Sequence, residues 1–184
     1  MTADAAFWDQ IAEKYARDPI KALAADEQTL LAHSVESILA CDISRAMIEI
    51  AEAKLQDVDA PRNIRFEVAP ISADHLPADR FDVVLAFNVL HLVPDLDQAL
   101  AILAERVRPG GLFISKTACL ADSSILLLKP LLALMKRAGK SPHVLFFSRK
   151  VLQSRFRTNG FEIVESGDFP RRPPRHFVVA RRLD

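Results

Sequence analysis

The stretch Phe81–Phe87 (FDVVLAF), with Asn88-Val89-Leu90-His91 directly after it, decides the fold of this chain. Nearly every residue of the run is apolar, which is typical of a parallel strand that is buried on both faces. The sequence therefore predicts a buried parallel strand here, and the polar residues Asn88 and His91 follow its end.

Short apolar or alternating runs on both sides of this stretch predict further strands. They are Ser37–Cys41, Asn63–Ala69, Leu112–Lys116, Phe161–Glu165 and His176–Ala180. Periodic apolar positions and capping residues predict helices over 6–17, 21–33, 45–56, 95–107, 124–138 and 148–158. Arg108-Pro109-Gly110-Gly111 predicts a turn. Strands that alternate with helices predict an α/β fold with a mostly parallel sheet, and the last two strands predict an antiparallel hairpin.

Length and composition predict one globular domain over residues 1–184, with helices in 1–35 and an α/β core in 36–184. The formal net charge of zero argues against nucleic acid or an anionic membrane as a partner. Cys41 and Cys119 match no zinc or redox spacing, so both are expected to be reduced core residues. No metal site is predicted, because no His/Cys/Asp cluster has ligand spacing. The polar N-terminus and the short apolar stretch Ile125–Met135 predict neither a signal peptide nor a transmembrane span. The two reduced cysteines predict a cytoplasmic protein.

Four local strings occur in a characteristic order. They are Phe7-Trp8-Asp9 with Ala12 and Tyr15; Ala40-Cys41-Asp42-Ile43-Ser44 with Met47; Phe81-Asp82-Val83-Val84 running to His91; and Arg108-Pro109-Gly110-Gly111-Leu112. Together they resemble the class I S-adenosylmethionine-dependent methyltransferases, in particular the small-molecule branch that includes the ubiquinone and menaquinone C-methyltransferases. The resemblance implies a Rossmann-like fold, S-adenosyl-L-methionine as cofactor, and methyl transfer to a small, apolar or aromatic molecule. Whether the chain forms a homodimer is left open.

The first cofactor residues follow the predicted strand that ends near Cys41. Asp42 is an acid at the carboxyl end of a strand, where it can accept hydrogen bonds from both hydroxyls of a ribose. The alternative for Asp42 is a helix-capping or loop carboxylate. By resemblance, Ile43 and Met47 pack against the adenine ring, and the alternative is ordinary core packing. Tyr15 of the N-terminal helix often lies over the cofactor in this family, or else it only packs the helix.

The remaining site residues follow the next two strands. By resemblance, Pro70 and Ile71 bring the backbone to the adenine ring, and Asp74 is the nearest acid for its amino group or a solvated loop residue. Phe87 and Asn88 lie where the methionine half of the cofactor meets the substrate, although Asn88 could instead cap a turn.

Three further features of the C-terminal half have open roles. His91 is a candidate general base or a structural histidine. Lys116, at a strand end, meets an anionic substrate or is simply solvated. The stretch Arg171–Arg175 is expected to be a solvated connection rather than a binding patch.

The glycine-rich turn of the family is missing. The five glycines are Gly110, Gly111, Gly139, Gly160 and Gly167, and none forms G-x-G. The stretch from Asp18 to Glu36 is too short for a strand, a turn and a helix, which places the loss of the first central strand near residues 22–34. Three explanations stay open: the intact enzyme has additional residues here, a deletion occurred, or a degenerate methyltransferase fold serves as a cofactor-free binding or regulatory module.

Overall fold

The computed structural model describes residues 3–16, 35–55, 63–122, 143–168 and 175–184, together with positions 130 and 138. The chain forms two compact units, Met1–Pro70 and Ile71–Asp184. The predicted helices over 21–33 and, except for positions 130 and 138, 124–138 lie outside the described residues, as does the join near residues 22–34. The division into one domain or two stays a prediction.

The N-terminal unit contains two helices and a pair of strands. In chain order these are α1 (Ala3–Ala16), β1 (Ile38–Asp42), α2 (Arg45–Lys54) and β2 (Ile64–Val68). The two strands are parallel, with Ile38 opposite Ile64 and Asp42 opposite Val68. All four elements are at the predicted places. Helix α2 contacts both strands and α1, and its buried residue is Ile48, next to Met47.

The C-terminal unit is built on a four-stranded sheet. Its elements are β3 (Phe81–Phe87), α3 (Leu96–Glu105), β4 (Val107–Thr117), a 3-10 turn (Leu120–Asp122), α4 (Arg149–Thr158), β5 (Phe161–Asp168) and β6 (His176–Arg182). The strand order is β3-β4-β6-β5. The β3–β4 pair is parallel, whereas β6 is antiparallel to both β4 and β5. The predicted closing hairpin and the α/β class are therefore confirmed.

The core of this unit lies between the sheet and the two helices. Three fully buried rings form its centre, because Phe113 lies 5.0 Å from Phe156 and 5.6 Å from Phe161 between ring centroids. Leu100 of α3 and Leu152 of α4 are also fully buried. Truncating one buried phenylalanine of this kind to alanine typically costs about 3–5 kcal/mol of stability.

The predicted turn at Arg108–Gly111 is wrong, because these residues belong to β4. Phe81 pairs with Val107 while Val83 pairs with Leu112, so the register shifts at this point. Gly110 has a φ of +76°, which an L side chain rarely adopts. The glycines therefore form a bulge that the strand passes through, and the pairing continues on both sides of it.

Two predictions of complete burial are also wrong. Val83 of β3 is 44% exposed, because β3 pairs only with β4 among the described strands and is an edge strand there. Cys41 is exposed, because β1 belongs to a two-stranded sheet that cannot cover both of its faces; Cys119 is buried as predicted. No strand in the described ranges pairs with the second edge of β1 or of β3. Within these ranges, no helix has the length and apolar character needed to cross a bilayer.

Candidate functional site

Asp42 ends β1 and turns the chain toward α2. The backbone N–H of Ser44 donates a hydrogen bond of 2.8 Å to Asp42 Oδ1, and the backbone N–H of Ala69 donates one of 3.0 Å to the Asp42 carbonyl. Burial raises the pKa of the Asp42 carboxyl, against the lowering effect of the Ser44 hydrogen bond. The Ile43 backbone N–H also hydrogen-bonds this carboxyl and lowers its pKa. A carboxylate has about four lone-pair sites, so these two bonds leave acceptor capacity for a hydroxyl group.

A second carboxylate, Asp9 of α1, reaches the same end of α2. Asp9 Oδ1 accepts a 2.6 Å hydrogen bond from the Ser44 hydroxyl and a 3.1 Å one from the Ala46 backbone N–H. These two bonds, the Ser44 bond first, lower the pKa of the Asp9 carboxyl. Asp9 belongs to the Phe7-Trp8-Asp9 string, and no role was predicted for it from the sequence. That string was the signal that could have found it.

The other predicted residues of the N-terminal unit lie close to Asp42 in the chain. Ile43 and Met47 are half-buried at the start of α2, and the Met47 backbone N–H is capped by the Ser44 hydroxyl at 3.1 Å. Pro70, also half-buried, follows Ala69, which is bonded to the Asp42 backbone. Tyr15 lies in α1, and its side chain is outside the described part of the structure. The unit thus brings Asp42, Ile43, Met47 and Pro70 to the carboxyl ends of β1 and β2.

In the C-terminal unit, Asn88 directly follows β3 in a left-handed conformation, with a φ of +56°. Asparagine tolerates this conformation better than most residues. Its backbone N–H donates a 2.7 Å hydrogen bond to the Lys116 carbonyl, and its side-chain Oδ1 accepts one from the Arg175 guanidinium. Arg175 is half-buried, so the prediction of a solvated connection is wrong for this residue. The remaining residues of that connection, 171–174, lie outside the described ranges.

His91 lies one turn beyond Asn88. Its Nδ1 is 2.9 Å from the hydroxyl oxygen of Thr117, a fully buried residue at the end of β4. Burial lowers the pKa of His91 to about 4, and the positive charge of Arg175 adds to that effect. The imidazole is therefore neutral at neutral pH. With the proton on Nδ1, donated to Thr117, the Nε2 atom would be a free acceptor.

The last predicted positions have different surroundings. Phe87 lies under the Lys116 ammonium, whose Nζ is 5.6 Å from the ring centroid. Lys116 is only 8% exposed, so the solvated alternative is wrong for it. Ile71 packs against the core of the C-terminal unit. Asp74 is exposed and makes no hydrogen bond or ion pair with any described residue, and its role stays a prediction.

A polar network near the hairpin was not anticipated from the sequence. His176 Nδ1 lies 3.0 Å from Asp168 Oδ1, and Arg149 Nη1 lies 2.6 Å from Asp168 Oδ2. The Arg149 backbone N–H also donates a 2.7 Å hydrogen bond to Asp122. The His176 hydrogen bond is the main cause that lowers the pKa of Asp168. The network ties α4 to β5, β6 and the 3-10 turn, and no sequence spacing signals it.

A family model described as a methyltransferase domain matches residues 22–113, half of the chain. The chain therefore belongs to the methyltransferase-domain family, which confirms the predicted family. Among curated relatives, it is 33% identical over 79 residues to a methyltransferase, nsrG, from Aspergillus novofumigatus (strain IBT 16806). That alignment covers 42% of this chain and only 29% of the relative.

Solved structures agree on the fold. One match comes from the complex of the Haloferax volcanii Trm112 methyltransferase activator with a putative methyltransferase (TM-score 0.67, 16% identity, 99% of this chain and 98% of the other). Another is the N-methyltransferase NodS from Bradyrhizobium japonicum WM9 (TM-score 0.60, 15% identity, 85% and 79% coverage). A third is geranyl diphosphate C-methyltransferase from Streptomyces coelicolor A3(2) (TM-score 0.66, 12% identity, 85% and 68% coverage). These likenesses confirm the Rossmann-like α/β architecture and do not favour a cofactor-free module.

Proposed function

We propose that this protein binds S-adenosyl-L-methionine and transfers its methyl group to a small, apolar or aromatic molecule. Membership of the methyltransferase-domain family supports the reaction class. The observation that carries the proposal is Asp42, a half-buried carboxylate at the carboxyl end of β1 that the Ser44 backbone N–H holds in place.

The described residues fit one part of this cofactor. Asp42 would accept hydrogen bonds from ribose hydroxyls, and the half-buried apolar side chains of Ile43 and Met47 offer a surface to an adenine ring. Pro70 and Ile71 follow the next strand and would bring backbone groups to the same ring. The chain has no G-x-G turn, so the residues that fit are those for the nucleoside. Direct measurement of binding is therefore the decisive test.

In the C-terminal unit, we propose that Phe87 and Asn88 serve the reacting end. The cofactor supplies an electrophilic methyl group on a sulfonium. The Asn88 amide does not titrate. Because its oxygen is engaged by Arg175, it would offer its amide hydrogens to the bound molecules. His91 would take a proton at Nε2 from the acceptor while Nδ1 stays bonded to Thr117. A pKa of about 4 makes His91 a weak base, so most of the rate would come from orientation of the reactants.

Isothermal titration with S-adenosylhomocysteine tests the cofactor proposal. We expect binding to the wild-type chain and at least a tenfold weaker Kd for Asp42→Asn, because a carboxylate accepts stronger hydrogen bonds than an amide. Glu49→Gln is the matched control, since Glu49 is an exposed acid of α2, and it should bind like wild type. Asp74→Asn reports on the open role of that residue. Absence of heat and of any thermal shift at millimolar ligand would refute cofactor binding by this chain.

We propose a cytoplasmic location as well, because both cysteines are free and Cys41 is an exposed thiol, which suits a reducing compartment. The molar mass measured by light scattering during size-exclusion chromatography decides whether the protein is a monomer or a homodimer.

A further inference from the structure

Arg175 is a half-buried cation with an unusual set of neighbours. Its guanidinium donates to the amide oxygen of Asn88, which is a neutral partner. No aspartate or glutamate in the described ranges forms an ion pair with it. A guanidinium has five N–H donors in a planar fork that matches a carboxylate or a phosphate, and among the described residues Asn88 engages one of them.

The groups around Arg175 do not neutralise its charge. Asn88 is an amide, and His91 is close enough for the Arg175 charge to contribute to lowering its pKa. The Asn88 backbone N–H is bonded to the Lys116 carbonyl, so the buried Lys116 is also near the end of β3. Asp168, which pairs with His176 across the hairpin, is engaged by Arg149 and His176. Among the described residues, no carboxylate therefore neutralises Arg175 at the carboxyl end of β3.

Three other arginines of this unit form ion pairs with carboxylates. Arg149 bridges Asp122 and Asp168, Arg108 pairs with Asp82, and Arg155 pairs with Asp97. Each of these has a carboxylate within 3.1 Å. Arg175 differs from these three, because it is half-buried and its partner is neutral. Arg182 is half-buried with a neutral partner as well, the Asn159 carbonyl, but its guanidinium also lies over the Phe161 ring. A partly buried cation without a counter-ion is costly unless a ligand supplies the negative charge.

We propose that Arg175 binds the anionic group, a carboxylate or a phosphate, of the molecule held at the carboxyl end of β3. This inference rests on the proposed function and narrows it: the methyl acceptor is an apolar or aromatic molecule that carries one such anionic group. The same chemistry could come from the α-carboxylate of the cofactor, and the experiment below separates the two sources.

The first arm uses benzoate and its neutral isostere benzamide, titrated into the cofactor-free full chain and followed by NMR. We expect benzoate to bind at least tenfold more tightly than benzamide and to shift the His91 ring signals. Arg175→Gln should lose that preference, Arg175→Lys should retain part of it, and Arg157→Gln, an exposed arginine of α4, should leave it unchanged. Equal binding of benzoate by wild type and Arg175→Gln, with Arg175→Lys folded by circular dichroism, overturns the proposal.

The second arm titrates S-adenosylhomocysteine and 5′-methylthioadenosine, which lacks the amino-acid group. If Arg175 holds the cofactor carboxylate, Arg175→Gln weakens the first ligand selectively and benzoate competes with it. If Arg175 holds the acceptor, the Kd of S-adenosylhomocysteine is unchanged by Arg175→Gln while benzoate binding is lost. A chain that binds benzoate through Arg175 and binds neither nucleoside refutes the proposed function alone.

Discussion

The Ser44 hydroxyl donates a 2.6 Å hydrogen bond to Asp9 of α1 and accepts one of 3.1 Å from the Met47 backbone N–H. One fully buried oxygen therefore caps α2 and joins α1 to it. A cap of this kind satisfies a backbone donor that the helix cannot satisfy itself. The same N-terminus carries the loop that holds Asp42, so stability and the candidate nucleoside site depend on the same few atoms.

Ser44→Ala should cost more stability than the equivalent change in α4. Ser148 also caps its helix, with a 3.2 Å hydrogen bond from the Val151 N–H, but no described side chain accepts from its hydroxyl. We expect a loss of about 2 kcal/mol for Ser44→Ala and about 1 kcal/mol for Ser148→Ala. Hydrogen exchange of the amides in α2 and α4 measures both. Equal losses would mean that the Asp9 bond contributes nothing.

The glycine bulge of β4 predicts a graded response to alanine. A Cβ atom on Gly111 would lie 2.8 Å from the Asp82 carbonyl oxygen and 2.9 Å from the Arg108 carbonyl oxygen, both backbone atoms. Gly111→Ala should therefore cost about 1–3 kcal/mol, whereas Gly110→Ala should cost about 1 kcal/mol through its positive φ. Gly167→Ala is the control, because nothing lies within 4 Å of its Cβ position. Urea unfolding should rank the three in this order, and a neutral Gly111→Ala would contradict the close approach.

His91 should make the C-terminal unit sensitive to acid. Its pKa is about 4 in the folded protein and 6.5 in an unfolded chain, so the unfolded state binds the proton first as the pH falls. The stability that the neutral His91 contributes, roughly 3 kcal/mol, is fully present above pH 6.5 and is lost progressively as the pH falls to about 4. Denaturant midpoints measured across this pH range should fall in the wild type and fall less in His91→Asn. Arg175→Gln should raise the pKa of His91 and leave it below 6.5, because burial is the larger cause.

The two cysteines should differ in reactivity. Cys41 is exposed, although burial of its sulfur and the charge of Glu67 raise the pKa of its thiol. Cys119 is buried, and burial raises the pKa of its thiol to about 12. A thiol reagent such as iodoacetamide should label Cys41 slowly at pH 8 and leave Cys119 unmodified until the protein is unfolded. Mass spectrometry of the labelled protein counts the modified sites, and labelling of Cys119 in the native state would contradict its burial.

Local patterns predicted most of the described elements. The strands at Ile38, Ile64 and Phe161 and the helices capped by Ser44 and Ser148 were readable, because caps and apolar periods act within a few residues. The positions of Asp42, Asn88 and His91 at strand ends followed from the same reading. The contacts that these residues make could not be predicted in this way.

The missed features are contacts between residues far apart in the chain. Asp9 meets Ser44 across 35 positions, and Arg175 meets Asn88 across 87, so no spacing rule could join them. The exposure of Val83 and Cys41 depends on which neighbours each strand has in its sheet, and that is a property of the whole unit. The bulge at Gly111 was read as a turn because glycine and proline signal both.

The edge of β3 favours self-association that increases with protein concentration. In the part of the chain that the structure describes, this strand presents a row of backbone donors and acceptors on its outer side, next to a valine that is 44% exposed. Such an edge pairs readily with another copy of itself, so intermolecular sheet formation competes with solubility. A single charged side chain in place of Val83 would act as a gatekeeper there, since it blocks that association and leaves β4 and the hairpin untouched.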